Sequence, residues 1–283
     1  MSPLIRAEHL RALLADDPSD TDLVLLDVRW YLPDPTRGRS EYQQSHLPGA
    51  VFVDLESDLT GDLRPDRRGG RHPLPDTVGL QQAMRRAGVN EDSQVVVYDQ
   101  GSSLAAARLW WLLRDAGQAD VRVLDGGLRA WIAAGGEVTD RVPQPHLGDV
   151  VLRSGQLPQL DAEGVTAAIA AGRSVVDVRA ADRYRGENEA IDPVAGHIPG
   201  SVSKPVTEVA TADGFASPDQ IRAYFAGLGP GDAFSCGSGV TASLALLAAE
   251  SAGLTGLSIY PGSWSDWISD PTRPVATGPN PDA

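Results

Sequence analysis

The stretch "AFSCGSGVTASLALLAA", residues 233–249, reads as a short buried strand, a glycine-flanked turn and an apolar helix. Asp232–Ser235 forms the strand, and the helix runs over Val240–Ala252 until Gly253 stops it. The same order stands upstream in "VVVYDQGSSLAAARLWWLL", residues 95–113. Three further pairs follow in the same sequence order. "LVLLDVRW" at 23–30 echoes "SVVDVRA" at 174–180, "HLPGAVFV" at 46–53 echoes "HIPGSVSK" at 197–204, and "VLDGGLRAWIAAGG" at 123–136 echoes "IYPGSWSDWISD" at 259–270. Four matched blocks in one order mean two copies of one domain, since a solenoid would need more. The copies divide as 1–142 and 158–283, with 143–157 as a linker that follows the Pro-containing run around 139–150.

Within each copy, strands alternate with helices. Val95–Tyr98 and Ser174–Val178 are short β-branched runs of the kind buried in parallel sheets. Residues 77–88 and 102–117 carry helical patterns that close on Gly88 and Gly117, and Ser217-Pro218 opens another helix. This alternation predicts an α/β fold, two tandem domains each with a mostly parallel sheet flanked by helices. In such folds ligands sit beyond the C-terminal ends of the strands.

Cys236 is the single cysteine in 283 residues, and it stands at such an end. The turn Gly237-Ser238-Gly239 lets backbone N–H groups converge on one point, and a helix N-terminus follows. Together they form an anion nest, in which a thiol ionises more readily than a free one and acts as a nucleophile. A buried structural cysteine is the plainer alternative. The first copy has Asp99 at the matching place. A carboxylate cannot do thiol chemistry, so only the second copy is expected to be active.

The chain resembles the rhodanese family of sulfurtransferases in its tandem-domain form. "CGSGVTA" at 236–242 is similar to the active-site loop of the mercaptopyruvate branch, and "LLDVRW", "SHLPGAVF", "VVDVRAADRYRG", "GHIPGS" and "PGSWSDW" resemble the family's other landmarks. The resemblance implies sulfur transfer from 3-mercaptopyruvate through a persulfide on Cys236 to cyanide or a thiol acceptor, including a protein thiol. Thiosulfate as the donor, or a non-catalytic sulfur carrier or regulatory module, are the alternatives. It implies donor binding by Arg183 and by the loop residues Gly237, Gly239, Val240 and Thr241. It also implies a relay in which Asp58 and His72 serve Ser238. Phosphatases that share this fold need an arginine six residues after the cysteine, and here that residue is Ala242.

The branch usually carries a second arginine shortly after the one at Arg183, but residues 186–196 contain none; Arg185 is expected on a different face. The basic run "DLRPDRRGGRHPLP", 62–75, is either a solvated loop or the source of an arginine, Arg68 or Arg71, that reaches the second copy's site. His46 and His197 precede Pro-Gly in both copies, and Asp27, Arg29, Asp177 and Arg179 also recur. Roles shared by an active and an inactive copy are expected to be structural, as turn ties and buried ion pairs. Trp131 and Trp267 are expected in the core.

The net charge of −14 argues against nucleic acid or an anionic membrane as partner. Neither a membrane span nor a signal peptide is evident, and one cysteine cannot form an internal disulfide, so a cytoplasmic setting is expected. No metal-ligand spacing and no dinucleotide fingerprint occur, and no cofactor is expected.

Overall fold

The computed structural model describes residues 2–15 and 22–281. These fall into two compact units. The first comprises Met1–Thr60, Pro75–Gln156 and Thr211–Phe215; the second comprises Gly61–Leu74, Leu157–Ala210 and Ala216–Ala283. The basic segment 61–74 therefore belongs to the second unit, although it lies among first-copy elements in the sequence.

The first unit is built on a five-stranded sheet in the order Leu4–Ile5, Val121–Leu124, Gln94–Tyr98, Leu23–Asp27, Val51–Phe52. Every pairing is parallel. Val95, Val96 and Val97 are fully buried, as continuous β-branched strands of parallel sheets are. The helices Thr77–Arg86, Leu104–Asp115 and Gly127–Ala133 flank the sheet. Asp76 starts the first of these by accepting from the Gly79 N–H at 2.8 Å. Leu10, Leu25, Tyr98, Leu124 and Trp131 share one core.

The second unit repeats this plan with four parallel strands in the order Ser258–Ile259, Ala233–Ser235, Val175–Asp177, Val202–Ser203. Val165, Val175, Ile198, Tyr260, Trp264 and Trp267 form its core. Ser217 caps Pro218–Tyr224 through a complete capping box with Gln220. The helix Val240–Ser251 is apolar on nearly every face and is enclosed accordingly. It ends one residue before the expected Ala252, and Gly253 takes the left-handed conformation beyond it, at φ +84°.

The recurrent residues have matching structural roles. Arg29 and Arg179 each clasp the aspartate two residues before, with closest contacts of 2.8 and 2.6 Å, and donate to the carbonyls of Ser45 and Gly196. Those carbonyls immediately precede His46 and His197. Each histidine stacks on a tyrosine, Tyr42 or Tyr184, at 4.1 and 3.7 Å between ring centroids. Each also forms an antiparallel bridge, His46 with Thr139 and His197 with Ala276. The Trp131 and Trp267 indoles are buried and donate to the carbonyls of Glu137 and Pro274. No described helix is long and apolar enough to cross a membrane.

Candidate active site

Cys236 follows Ala233–Ser235, a strand paired on both sides, so its position is fixed by two ladders. The residue is 1% exposed. Its sulfur accepts from the Gly239 N–H at 3.1 Å, and the Ser263 hydroxyl lies 3.7 Å away. Ser263 Oγ also accepts from the Cys236 N–H at 3.0 Å and sits 2.8 Å from the Tyr260 carbonyl. It has a single proton, so it can donate to the Tyr260 carbonyl or to the sulfur, not to both at once. Ser263 has φ +53°, uncommon for a residue with a side chain, in the turn that places its hydroxyl under Cys236.

The loop needs Gly239. Its φ is +82°, and a Cβ there would stand 2.2 Å from the Pro261 carbonyl oxygen. Val240 and Thr241 open the helix, where the first N–H groups have no partner inside it. The Gly239 N–H, just ahead of them, points at the Cys236 sulfur, and helix N-termini of this kind stabilise an anion.

Ser238 and His72 are buried and in contact, Oγ to Nδ1, at 2.7 Å. When Nδ1 is unprotonated the serine hydroxyl donates to it. Segment 69–72, which carries His72, is pinned beneath the helix Ser263–Trp267. The Gly69 N–H donates to Asp266 Oδ1 at 2.7 Å, and the Arg71 N–H donates to Ser265 Oγ at 2.9 Å. Gly70 has φ +80°, and a Cβ there would lie 2.5 Å from the Gly262 carbonyl oxygen.

Two guanidinium groups stand over the loop. A Cβ on Gly237 would meet Arg71 Nη2 at 3.2 Å and Arg183 Nη1 and Nη2 at 3.8 Å. Arg183 binds Glu189 through Nε and Nη2 at 2.9–3.2 Å, and Nη2 also reaches Asp192 Oδ2 at 3.0 Å. Arg71 Nη1 binds the other oxygen of Asp192 at 2.5 Å. Burial would raise the Glu189 carboxyl, but hydrogen bonds from Arg183 and from the N–H groups of Asp192 and Ile191, with the Arg183 charge, hold it below its ordinary value. Burial would lower the Arg179 guanidinium, but Asp177, Glu189 and the Cys236 sulfur together push it up.

The second unit thus gathers Cys236, Ser238, His72, Arg183, Gly237, Gly239, Val240 and Thr241. Asp58 lies in the first unit, where its carboxylate accepts from Arg86 at 2.9 Å and from the Asp54 N–H at 3.0 Å. Arg185 pairs with Glu187 at 2.7 Å. Of the basic run, Arg64, Arg67 and Arg68 are exposed, so the solvated-loop reading holds for them, whereas Arg71 is engaged in the site. Glu189, Asp192, Ser263 and Asp266 are not evident from the sequence reading. The one available signal was the pairing of Arg183 with acidic residues six and nine positions on. Among the described residues no group of three or more His, Cys, Asp and Glu could hold a metal.

The first unit shows the same nest filled by a carboxylate. Asp99 Oδ1 accepts from the N–H groups of Gly101 and Ser103, both at 2.9 Å, and Oδ2 from that of Ala105 at 3.2 Å. Burial pushes this carboxyl up, while those same N–H groups pull it down less strongly.

The Rhodanese-like domain model matches residues 7–134 and 161–270. The chain belongs to that family. It is 45% identical to the "Probable 3-mercaptopyruvate sulfurtransferase" of Pseudomonas aeruginosa, across 97% of this chain and 98% of that one. It is 43% identical to the "Putative thiosulfate sulfurtransferase SseB" of Mycobacterium tuberculosis, across 97% of each. Its fold matches the crystal structure of SseA from Escherichia coli, described as a 3-mercaptopyruvate sulfotransferase, with a TM-score of 0.80 at 30% identity, over 94% of this chain and 100% of that one.

Proposed function

We propose that the chain is a sulfurtransferase that moves sulfane sulfur from 3-mercaptopyruvate to a thiol or cyanide through a persulfide on Cys236. The observation that carries this reading is the buried Cys236 sulfur at the strand end, 3.1 Å from the Gly239 N–H, beside Ser238–His72 and two guanidinium groups. In the first step the Cys236 thiolate attacks the donor sulfur. A sulfur–sulfur bond forms, the carbon–sulfur bond breaks, and its electron pair leaves on the enolate of pyruvate. The enolate needs one proton at carbon, and its delivery is assigned to Ser238 with His72, whose 2.7 Å contact supports the assignment. In the second step an acceptor thiolate or cyanide takes the outer sulfur, and the electron pair of the sulfur–sulfur bond returns to Cys236. The N–H groups from Gly237 to Thr241 hold the outer sulfur's negative charge, and Arg183 holds the donor carboxylate.

Thiosulfate as donor is the second reading, favoured by the absence of an arginine between residues 186 and 196. A cytoplasmic setting is supported by the lone, unpaired cysteine. Intact-mass spectrometry after incubation with 3-mercaptopyruvate tests the central step. The wild type should gain about 32 Da, one sulfur as a persulfide, and Cys236→Ala should gain nothing. No gain on the wild type with either donor defeats the reading.

A further inference from the structure

We propose that Asp192 and Arg71 form a charge filter that selects a monoanionic donor over a dianionic one; this rests on the sulfurtransferase reading above. Arg71 brings a second guanidinium to the loop that residues 186–196 do not provide. Its Nη2 is the polar group nearest the Gly237 Cβ position, at 3.2 Å, and its buried Nε has no hydrogen-bond partner. Arg71 and Arg183 are held together by Asp192, whose side chain is 2% exposed and gives one oxygen to each. Glu189, equally buried, occupies the remaining edge of Arg183.

The charge balance decides what this cluster accepts. Two guanidinium groups face two buried carboxylates, so the cluster is neutral before any donor arrives. The Arg179–Asp177 pair beneath it adds no net charge. A donor with one carboxylate and a neutral thiol brings one negative charge to this cluster and can use the N–H edges that point at Gly237. Thiosulfate brings two to the same paired cations, so its unfavourable charge at the neutral cluster is doubled. Beside carboxylates only 2% exposed, each uncompensated charge counts more than it would at the surface. Asp192 therefore acts as the filter. It fixes both arginines and cancels the excess positive charge that a dianion would need.

The test is the ratio of kcat/KM for thiosulfate to that for 3-mercaptopyruvate. Asp192→Asn keeps the shape and adds one positive charge, which acts twice as strongly on a dianion. The ratio should rise by about tenfold or more. Glu189→Gln makes the same change of charge at a second position and should move the ratio in the same direction, so the proposal stays testable if one variant folds poorly. A structural defect alone would lower both donors together and leave the ratio in place. An unchanged ratio in a folded variant that still loads sulfur on Cys236 overturns the filter. So does a wild type that uses thiosulfate as well as 3-mercaptopyruvate. Absence of any persulfide on the wild type removes the sulfurtransferase reading and the filter with it.

Discussion

At the scale of single residues, the proposed proton relay rests on the contact between Ser238 and His72. Their contact at 2.7 Å is buried, so a proton can pass between them without a water shell. The enolate of pyruvate requires a proton as it leaves, whereas sulfite, the leaving group from thiosulfate, does not. Ser238→Ala should therefore lower kcat with 3-mercaptopyruvate by about 10²-fold, the lower end of what general acid catalysis contributes, and leave kcat with thiosulfate nearly unchanged. Steady-state kinetics with both donors on one preparation decides this; equal losses would assign Ser238 to shaping the loop. Cys236 stands out in the sequence through its strand-end, glycine-flanked turn, whereas Ser238 and Arg183 enter only through the family resemblance. Asp192 and Glu189 stand out in neither way. Their role lies in which guanidinium edge each oxygen takes, and that geometry exists only after the segment 186–196 has closed on Arg183.

At the scale of elements, strands and helices were legible and the path of segment 61–74 was not. The strands advertise themselves through β-branched runs, and the helices through caps such as Asp76 and Ser217. Segment 61–74 has neither period nor apolar run, and it carries four arginines. Its place depends on tertiary hydrogen bonds, from the Gly69 and Arg71 N–H groups to Asp266 and Ser265, which no local pattern announces. Gly70 lets the backbone lie against Gly262, and substitution by alanine there meets both the positive φ and the carbonyl at 2.5 Å. Gly70→Ala should destabilise the protein by about 1–3 kcal/mol and raise the KM for the donor, because Arg71 and His72 ride on the displaced turn. Thermal unfolding together with donor KM checks it. A variant with wild-type KM would show that segment 61–74 does not have to be held in this register.

Across the whole molecule, the duplicated loop separates what the fold supplies from what the chemistry adds. Both units end a central parallel strand in an anion nest at a helix N-terminus, yet the loops differ by one residue. The helix begins five positions after Asp99, at Leu104, and four after Cys236, at Val240. The longer loop spreads its N–H groups over the two oxygens of a carboxylate, with Gly101 and Ser103 on one and Ala105 on the other. The shorter loop aims the Gly239 N–H at a single sulfur. The first unit's loop has glycine at 101 where the second has Ser238, so it also lacks the hydroxyl that meets His72. A thiol placed in the first nest should therefore gain burial and N–H donors without the groups that load it. The double variant Asp99→Cys, Cys236→Ala should take up no persulfide from 3-mercaptopyruvate, read as no gain of mass on the intact chain. It should also unfold at a lower temperature than Cys236→Ala alone, because the three N–H groups lose the carboxyl oxygens they bond, and a thiol in their place bonds them weakly. Sulfur found on residue 99 would mean that the nest alone suffices for transfer, and that the arginines and the Ser238–His72 pair tune the reaction without enabling it.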